Sequence, residues 1–129
     1  MSGLLSFKLQ LVLVSHAFHL GIFRVADAQK NKQQLALSLQ LKLNGPVAKV
    51  NVEGGPIDKE IYPSQNLPAG PLNNAVVEVD TVARTIRFLI NDQQMHDGDI
   101  PIQWNADVLQ EMFFFVRLFE RGDCVRIVD

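Results

Sequence analysis

The sequence predicts an all-β fold, an antiparallel two-sheet β-sandwich, and three observations lead to that prediction. Apolar and polar residues alternate along several short segments, most clearly over Leu35–Leu43. Turn-forming residues separate these segments, as at Asn44-Gly45-Pro46. No long helix is indicated, and about seven or eight short strands joined by turns are typical of a sandwich or barrel.

Size, charge and cysteine content exclude several classes of protein. The chain has 129 residues, of which 47% are hydrophobic and 20% charged, so we expect one folded domain over residues 1–129. A net charge of −2 with scattered lysines argues against nucleic-acid binding. Cys124 is the only cysteine, which excludes an internal disulfide and fits a reducing cytosol. We expect its thiol to be buried and inert in the last strand.

The N-terminal segments predict a first pair of strands. Ser6–Val14 alternates as a strand, Ser15-His16 turns the chain, and Ala17–Val25 is the expected partner strand. The polar stretch Ala26–Gln34 is interpreted as a loop.

The same region also imitates a signal peptide. Leu9–Phe23 is apolar, Lys8 precedes it, and Ala26-Asp27-Ala28 imitates a cleavage site. Polar residues interrupt the run, and its alternation is that of a strand rather than of a leader. It also falls short of the ~18 uninterrupted apolar residues of a membrane helix. We therefore expect a cytoplasmic protein with no membrane association, and secretion after cleavage of Met1–Ala28 is the alternative.

The middle of the chain predicts two strands and a long loop. Leu35–Leu43 places its leucines on one face and Ala36, Ser38, Gln40 and Lys42 on the other, which favours a half-buried strand. Val47–Glu53 alternates in the same way. Gly54–Asn74 contains several Gly and Pro residues, and we expect a long loop with a short strand near Ile61-Tyr62. Such a loop is either a binding loop or a surface connection.

A hairpin follows the long loop. Ala75–Asp80 and Thr85–Asn91 are its two strands. Asp80 and Asn91 are expected to fix the strand ends through hydrogen bonds to the turn backbone. The residues predicted to enter the core share one face of each strand: Val77, Val79, Ile86, Phe88 and Ile90.

The C-terminal region predicts one helical turn and two strands. Asn105 is a suitable cap for a turn that ends at Gln110. Met112–Phe119 and Cys124–Val128 are expected as strands on either side of an Arg121-Gly122-Asp123 turn. A helix over Asp107–Phe119 is the main alternative, since its apolar spacing is also acceptable for a helix.

The strand Met112–Phe119 is apolar on both faces. Phe113, Phe115 and Phe119 share one face, and Met112, Phe114, Val116 and Leu118 share the other. The favoured interpretation is a central strand that is covered on both sides. The alternative is a surface for a partner or for self-association, in which the chain is a structural subunit that forms a homo-oligomer through the Phe face.

The C-terminal half resembles the SPRY domain family. Members commonly carry a strand that ends in Asp, a short turn and a strand that ends in aromatic-x-x-Asn. The residues that match this pattern are Val77, Val79, Asp80, Thr85, Ile86, Arg87, Phe88 and Asn91. Further similar segments are Leu20-Gly21-Ile22, Met112–Phe119, Arg121-Gly122-Asp123 and Val125-Arg126-Ile127.

The resemblance implies a bent sandwich of the concanavalin-like jelly-roll type. It also implies an adaptor activity, the non-enzymatic recognition of a partner protein or peptide through loops at one end of the sandwich, without a cofactor. Loops present contacts on a rigid platform, and aromatic residues dominate protein interfaces. The loop residues predicted to bind a partner are Tyr62, Gln65, Asn66, His96 and Trp104. Packing of the loop is the alternative for Tyr62 and Trp104, and for Trp104 it is the favoured one.

Other functions have weaker signals in the sequence. No nucleophile, base and stabilising group are brought together, so no catalytic residues are predicted. His96, Asp97 and Asp99 could bind a divalent ion, but Asp-Gly is ordinary turn chemistry and a turn is favoured over a metal site. A carbohydrate-binding sandwich is an alternative, although the His-x-Asn-x-Arg and Trp-x-x-Glu-x-Arg runs of a galectin-like site are missing.

Overall fold

Two antiparallel sheets pack face to face in a computed structural model of the chain, which confirms the predicted all-β sandwich. The structure describes residues 3–31, 34–43, 47–53, 59–60, 65–68, 70–96 and 98–128. The strands are β1 Leu4–Leu13, β2 Ala17–Arg24, β3 Leu35–Lys42, β4 Val47–Glu53, β5 Lys59–Glu60, β6 Gln65–Asn66, β7 Asn74–Asp80, β8 Thr85–Ile90, β9 Gln93–Gln94, β10 Ile100–Pro101, β11 Phe113–Leu118 and β12 Cys124–Val128. A 3-10 helix spans Ala28–Lys30, and the α-helix α1 spans Ala106–Gln110.

Each sheet has six strands. Sheet A has the order β10-β8-β7-β1-β12, with β9 paired to β8, and sheet B has the order β11-β2-β3-β4-β5, with β6 paired to β4. The core lies between them, and its fully buried side chains alternate along the strands, as Phe18, Leu20 and Ile22 do on β2. The alternation of apolar and polar residues in the sequence therefore marks the sheet faces that pack against each other.

The first two strands do not pair with each other, so the predicted N-terminal pair is wrong. β1 pairs with β7 and β12 in sheet A, whereas β2 pairs with β3 and β11 in sheet B. Residues 14–16 therefore carry the chain from one sheet to the other. Leu9 of β1 and Leu20 of β2 are buried in the same core, one from sheet A and the other from sheet B. If β1 and β2 were paired in one sheet, both side chains would enter the core from the same side.

The predicted hairpin is confirmed in detail. β7 and β8 pair with Val77 opposite Phe88 and Val79 opposite Ile86. All five residues predicted for its core face, Val77, Val79, Ile86, Phe88 and Ile90, are at most 1% exposed. Asn91 and Asp92 then turn the chain back into β9 with positive φ angles of 50° and 64°, the backbone of a tight two-residue hairpin turn.

Side chains at both ends of the hairpin hold the backbone. The Asp80 carboxylate accepts hydrogen bonds from the N–H groups of Val82 and Ala83, both at 2.9 Å. The Asn91 Oδ1 accepts from the N–H groups of Asn73 at 2.7 Å and Asn74 at 3.3 Å. The expected role of both residues in fixing the strand ends is confirmed.

Removal of the Asp80 carboxylate tests this bonding. We expect Asp80→Ala to lower the free energy of unfolding by about 1–2 kcal/mol, because two turn N–H groups lose their acceptor. Asp80→Asn keeps an acceptor oxygen at the same distance from the backbone and serves as the matched control. Urea unfolding of both variants measures the difference, and equal losses for the two would contradict the role given to the carboxylate oxygen.

The predicted C-terminal elements are confirmed, and the alternative of one long helix is wrong. The Asn105 Oδ1 accepts from the Val108 N–H at 2.9 Å and caps α1. The chain then enters β11, which pairs with β2. Among the described helices, none has the length and hydropathy that crossing a membrane requires.

Two expectations about burial in this region are also wrong. β11 is the end strand of sheet B rather than a central strand, and Phe113 is 58% exposed and Phe119 48% exposed. The Phe face is therefore uncovered within the described part of the protein. Cys124 is exposed as well, since β12 is the end strand of sheet A and its first residue lies at that open edge.

Candidate functional site

A groove runs over the outer face of sheet B, the face turned away from the core. Its volume is about 460 Å³, within the range of ligand-binding clefts in proteins. It lies over β11, β2 and β3. The residues that line it are His19, Phe23, Gln34, Ala36, Ser38, Phe115, Val116, Arg117 and Leu118.

The register of the three strands explains the shape of this outer-face groove. Phe115, Gly21 and Ser38 are opposite one another in a single row across β11, β2 and β3. The row begins with an aromatic ring and continues through two of the smallest residues. A depression therefore forms beside the ring, with the backbone of β2 and β3 as its floor.

Gly21 is required by the close approach of β2 and β3. A Cβ atom built at this position would collide with the carbonyl oxygen of Leu37 and lie 2.8 Å from the Cα atom of Ser38. Both atoms belong to the backbone of the neighbouring strand and cannot be moved by a change of rotamer. Any larger residue at position 21 must therefore separate the strands that form the groove floor.

The groove floor on β3 is more buried than the sequence pattern indicates. Ala36 is 4% exposed, Ser38 1% and Gln40 8%, although these residues lie on the strand face that we expected to be open. β3 lies between β2 and β4, so a neighbouring strand covers each of its edges. The buried Ser38, which lines the groove, places a hydroxyl at its bottom.

Aromatic rings form one wall of the groove. The Phe23 ring meets the Phe115 ring edge to face, with the ring centroids 5.6 Å apart. The Phe23 and Phe113 rings are tilted relative to each other, with centroids 5.7 Å apart. The His19 ring meets the Phe119 ring edge to face at 4.7 Å. These are favourable aromatic geometries, so the rings brace one another and present a preformed apolar wall.

Arg117 provides a positive charge beside these rings. Its register position on β11 is opposite His19 of β2, and its side chain is exposed. Among the described residues, Arg117 forms no ion pair; the ion pairs seen there join His16 to Glu120 and Arg87 to Asp99. The guanidinium is therefore available to an acidic group of a ligand, to which it donates in a bidentate fashion.

The five predicted partner-binding residues do not form a single surface in the described structure. Tyr62 lies outside the described residues. Gln65 and Asn66 form β6 at the edge of sheet B, and Asn66 is exposed. His96 and Trp104 belong to the interior, with exposed fractions of 4% and 8%. Partner binding by these residues stays a prediction, and little of the last two side chains can be touched from outside.

His96 has a structural position that explains its burial. Its Nε2 accepts a hydrogen bond from the Phe88 backbone N–H at 3.1 Å. Its Nδ1 lies 2.6 Å from the Gly98 carbonyl oxygen, so we assign the ring proton to Nδ1, which donates to that oxygen. The ring thus joins β8 to the loop that follows β9.

Metal ligands are not gathered in the described residues. No group of three or more His, Cys, Asp and Glu side chains is placed there to hold an ion. Asp99 faces Arg87 at 3.7 Å instead, and Asp97 lies outside the described residues.

A scan against protein-family models found no matching family, and a search of curated proteins found no matching protein.

Proposed function

We propose that this protein is a non-enzymatic recognition domain of SPRY-like type that binds a segment of a partner protein in the outer-face groove of sheet B. The observation that carries the proposal is that braced aromatic rings, the buried hydroxyl of Ser38 and Arg117 meet in one cleft of about 460 Å³. Arg117 forms no ion pair among the described residues. The domain would act as a cytoplasmic adaptor without a cofactor. Asn66 and the neighbouring loops would add contacts at the rim.

The chemistry of the groove selects the kind of segment. Phe23 and Phe115 favour an aliphatic or aromatic side chain, which gains free energy by leaving water. Arg117 favours a carboxylate close to that side chain, and the hydroxyl of Ser38 can bond the peptide backbone. We therefore propose a peptide that carries an acidic residue next to a large apolar one.

A display selection tests this proposal. Random peptides displayed on phage are selected on the immobilised protein, and enriched peptides are synthesised and titrated calorimetrically. We expect enrichment of acidic and apolar residues together. Arg117→Glu should weaken binding by at least about tenfold, equivalent to about 1.4 kcal/mol, because attraction to the carboxylate becomes repulsion. The matched control is Arg126→Glu, an equally exposed arginine on β12 of sheet A.

Several results would contradict peptide recognition in the groove. The first is a selection in which no peptide is enriched. The second is a set of enriched peptides that bind the Arg117→Glu protein as tightly as the original chain. Equal losses for Arg117→Glu and Arg126→Glu would show a general charge effect instead of a site.

A carbohydrate ligand is the second candidate, and one observation favours it. The partly exposed rings of Phe23 and Phe115 stand beside polar groups of His19, Gln34 and Ser38. A sugar offers an apolar face to such rings and hydroxyls to such groups. A glycan array decides between the candidates: a saturable, specific sugar whose binding is lost in Phe115→Ala would replace the peptide proposal.

A further inference from the structure

The polarity of the outer-face groove changes from one row of residues to the next. Phe115, Gly21 and Ser38 form one row across β11, β2 and β3. Arg117 and His19 lie opposite each other in the next row along the strands. The first row is a hollow with an aromatic wall, whereas the second row carries the permanent positive charge of a guanidinium. The groove therefore offers an apolar site and a cationic site side by side.

The hollow above Gly21 is bounded on all four sides. Phe115 and Ser38 flank Gly21 on the neighbouring strands. His19 and Phe23 flank it along β2, on the same face of the sheet. All four residues line the groove. The space left free by Gly21 is therefore one residue wide and suits one apolar side chain of a ligand.

Arg117 has no acidic neighbour on its own strand. β11 reads FFFVRL, without an acidic residue, and the residue opposite Arg117 on β2 is His19. Glu120, the acidic residue closest to Arg117 in the chain, pairs with His16 at 3.5 Å. Lys42, exposed near the same end of the face, adds further positive charge. Charge complementarity therefore assigns an anionic group of the ligand to Arg117.

The distance between the apolar and cationic sites matches the repeat of an extended peptide. Residues on one face of a strand recur every two positions, about 6.7 Å apart, and Phe115 and Arg117 are two positions apart on β11. An extended ligand that runs along β11 has the same repeat. Its residues i and i+2 therefore enter both sites together, whereas adjacent residues point to opposite faces.

A helical ligand matches the hollow less well. A helix with its side chains is about 10–12 Å across. Phe115 and Ser38 lie on strands separated only by β2, so their backbones are about 10 Å apart, and the Phe115 ring narrows that span. A helix would therefore rest above the hollow instead of filling it.

We propose that the ligand of the outer-face groove is an extended segment in which an acidic residue lies two positions from a large apolar residue. The apolar side chain fills the hollow above Gly21, and the carboxylate accepts hydrogen bonds from Arg117. Either order of the two residues along the ligand satisfies these side-chain contacts. This inference rests on the peptide recognition proposed above and specifies the motif that the groove recognises.

A series of peptides with different spacings tests the motif. Short glycine and serine peptides with blocked ends carry one phenylalanine and one glutamate, separated by zero, one, two or three residues. Two-dimensional NMR titration gives their dissociation constants even when binding is weak. We expect the tightest binding with one intervening residue, by about fivefold over the other spacings, because only that spacing makes both contacts at once.

Arg117→Gln tests which residue recognises the acidic group. The original chain should bind the peptide with one intervening residue about fivefold more tightly than its glutamine analogue. The Arg117→Gln protein should bind the two peptides equally, because the guanidinium is gone. Arg126→Gln is the matched control, since Arg126 is an exposed arginine on β12 of sheet A, and it should leave the preference unchanged.

The outcomes separate this motif from the proposed function. Tightest binding with two or three intervening residues indicates a helical ligand and overturns the motif, as does a preference for glutamate that persists in Arg117→Gln. Equal binding at all spacings that Arg117→Gln still weakens also overturns it, but leaves peptide recognition in the groove intact. If no peptide of the series binds, the motif is wrong, and the display selection decides separately whether the groove recognises peptides.

Discussion

Gly21→Ala is expected to be among the most destabilising single substitutions in this protein, with a loss of roughly 3 kcal/mol in the free energy of unfolding. The added methyl group has no free space, because it meets the Leu37 carbonyl oxygen and lies 2.8 Å from the Ser38 Cα atom. Relief requires β2 and β3 to move apart along a pairing that runs from Ala17 to Arg24. Urea unfolding followed by circular dichroism measures the loss.

Gly122→Ala is the control for this substitution. Gly122 has no heavy atom within 4 Å of a built Cβ, but its φ is +92°. Alanine there suffers backbone strain alone, which we expect to cost about 1–2 kcal/mol. If Gly21→Ala were no more destabilising than Gly122→Ala, the close approach of β2 and β3 would be contradicted.

Trp104→Ala is expected to lower the free energy of unfolding by about 3–5 kcal/mol, as large truncations in cores do. Trp104 is 8% exposed and belongs to the core cluster, together with Ile100, Ile102 and Leu109 from its neighbourhood in the chain. The substitution leaves a cavity in that cluster. Thermal and urea unfolding both report the loss.

Gln103→Ala provides the matched control, since its side chain is the exposed neighbour of Trp104. We expect a change within about 0.5 kcal/mol, as for most surface substitutions. A Trp104→Ala protein as stable as the Gln103→Ala protein would contradict the packing of the indole. It would support the alternative interpretation of Trp104 as an exposed anchor for a partner.

The faces of the strands could be predicted from the sequence, whereas their partners could not. Alternation over Leu35–Leu43 and along the hairpin marks which side chains enter the core. It does not say which sheet a strand joins, since β1 and β2 contribute equally apolar faces to the same core from opposite sheets. A short connection at residues 14–16 fits a hairpin and a crossing between sheets equally well.

The groove could not be predicted from the sequence for a similar reason. The groove depends on the row of Phe115, Gly21 and Ser38, residues that are far apart in the chain and meet only through strand pairing. One available signal was the small size of Ala36 and Ser38 on the polar face of Leu35–Leu43, since short side chains leave a depression in the face of a sheet. Trp104 lies in a loop as expected, and its burial agrees with the loop packing that the sequence favoured over contact with a partner.

The most direct test of the groove as the binding surface is an amide chemical-shift map. Two-dimensional NMR spectra of the labelled protein are recorded while a peptide from the display selection is added. Binding in the outer-face groove predicts shifts that cluster at Ser38, Phe115 and Arg117, with little change along β12. Shifts confined to Asn66 and the adjacent loops, with the groove amides unchanged, would contradict it and return the binding site to the end of the sandwich.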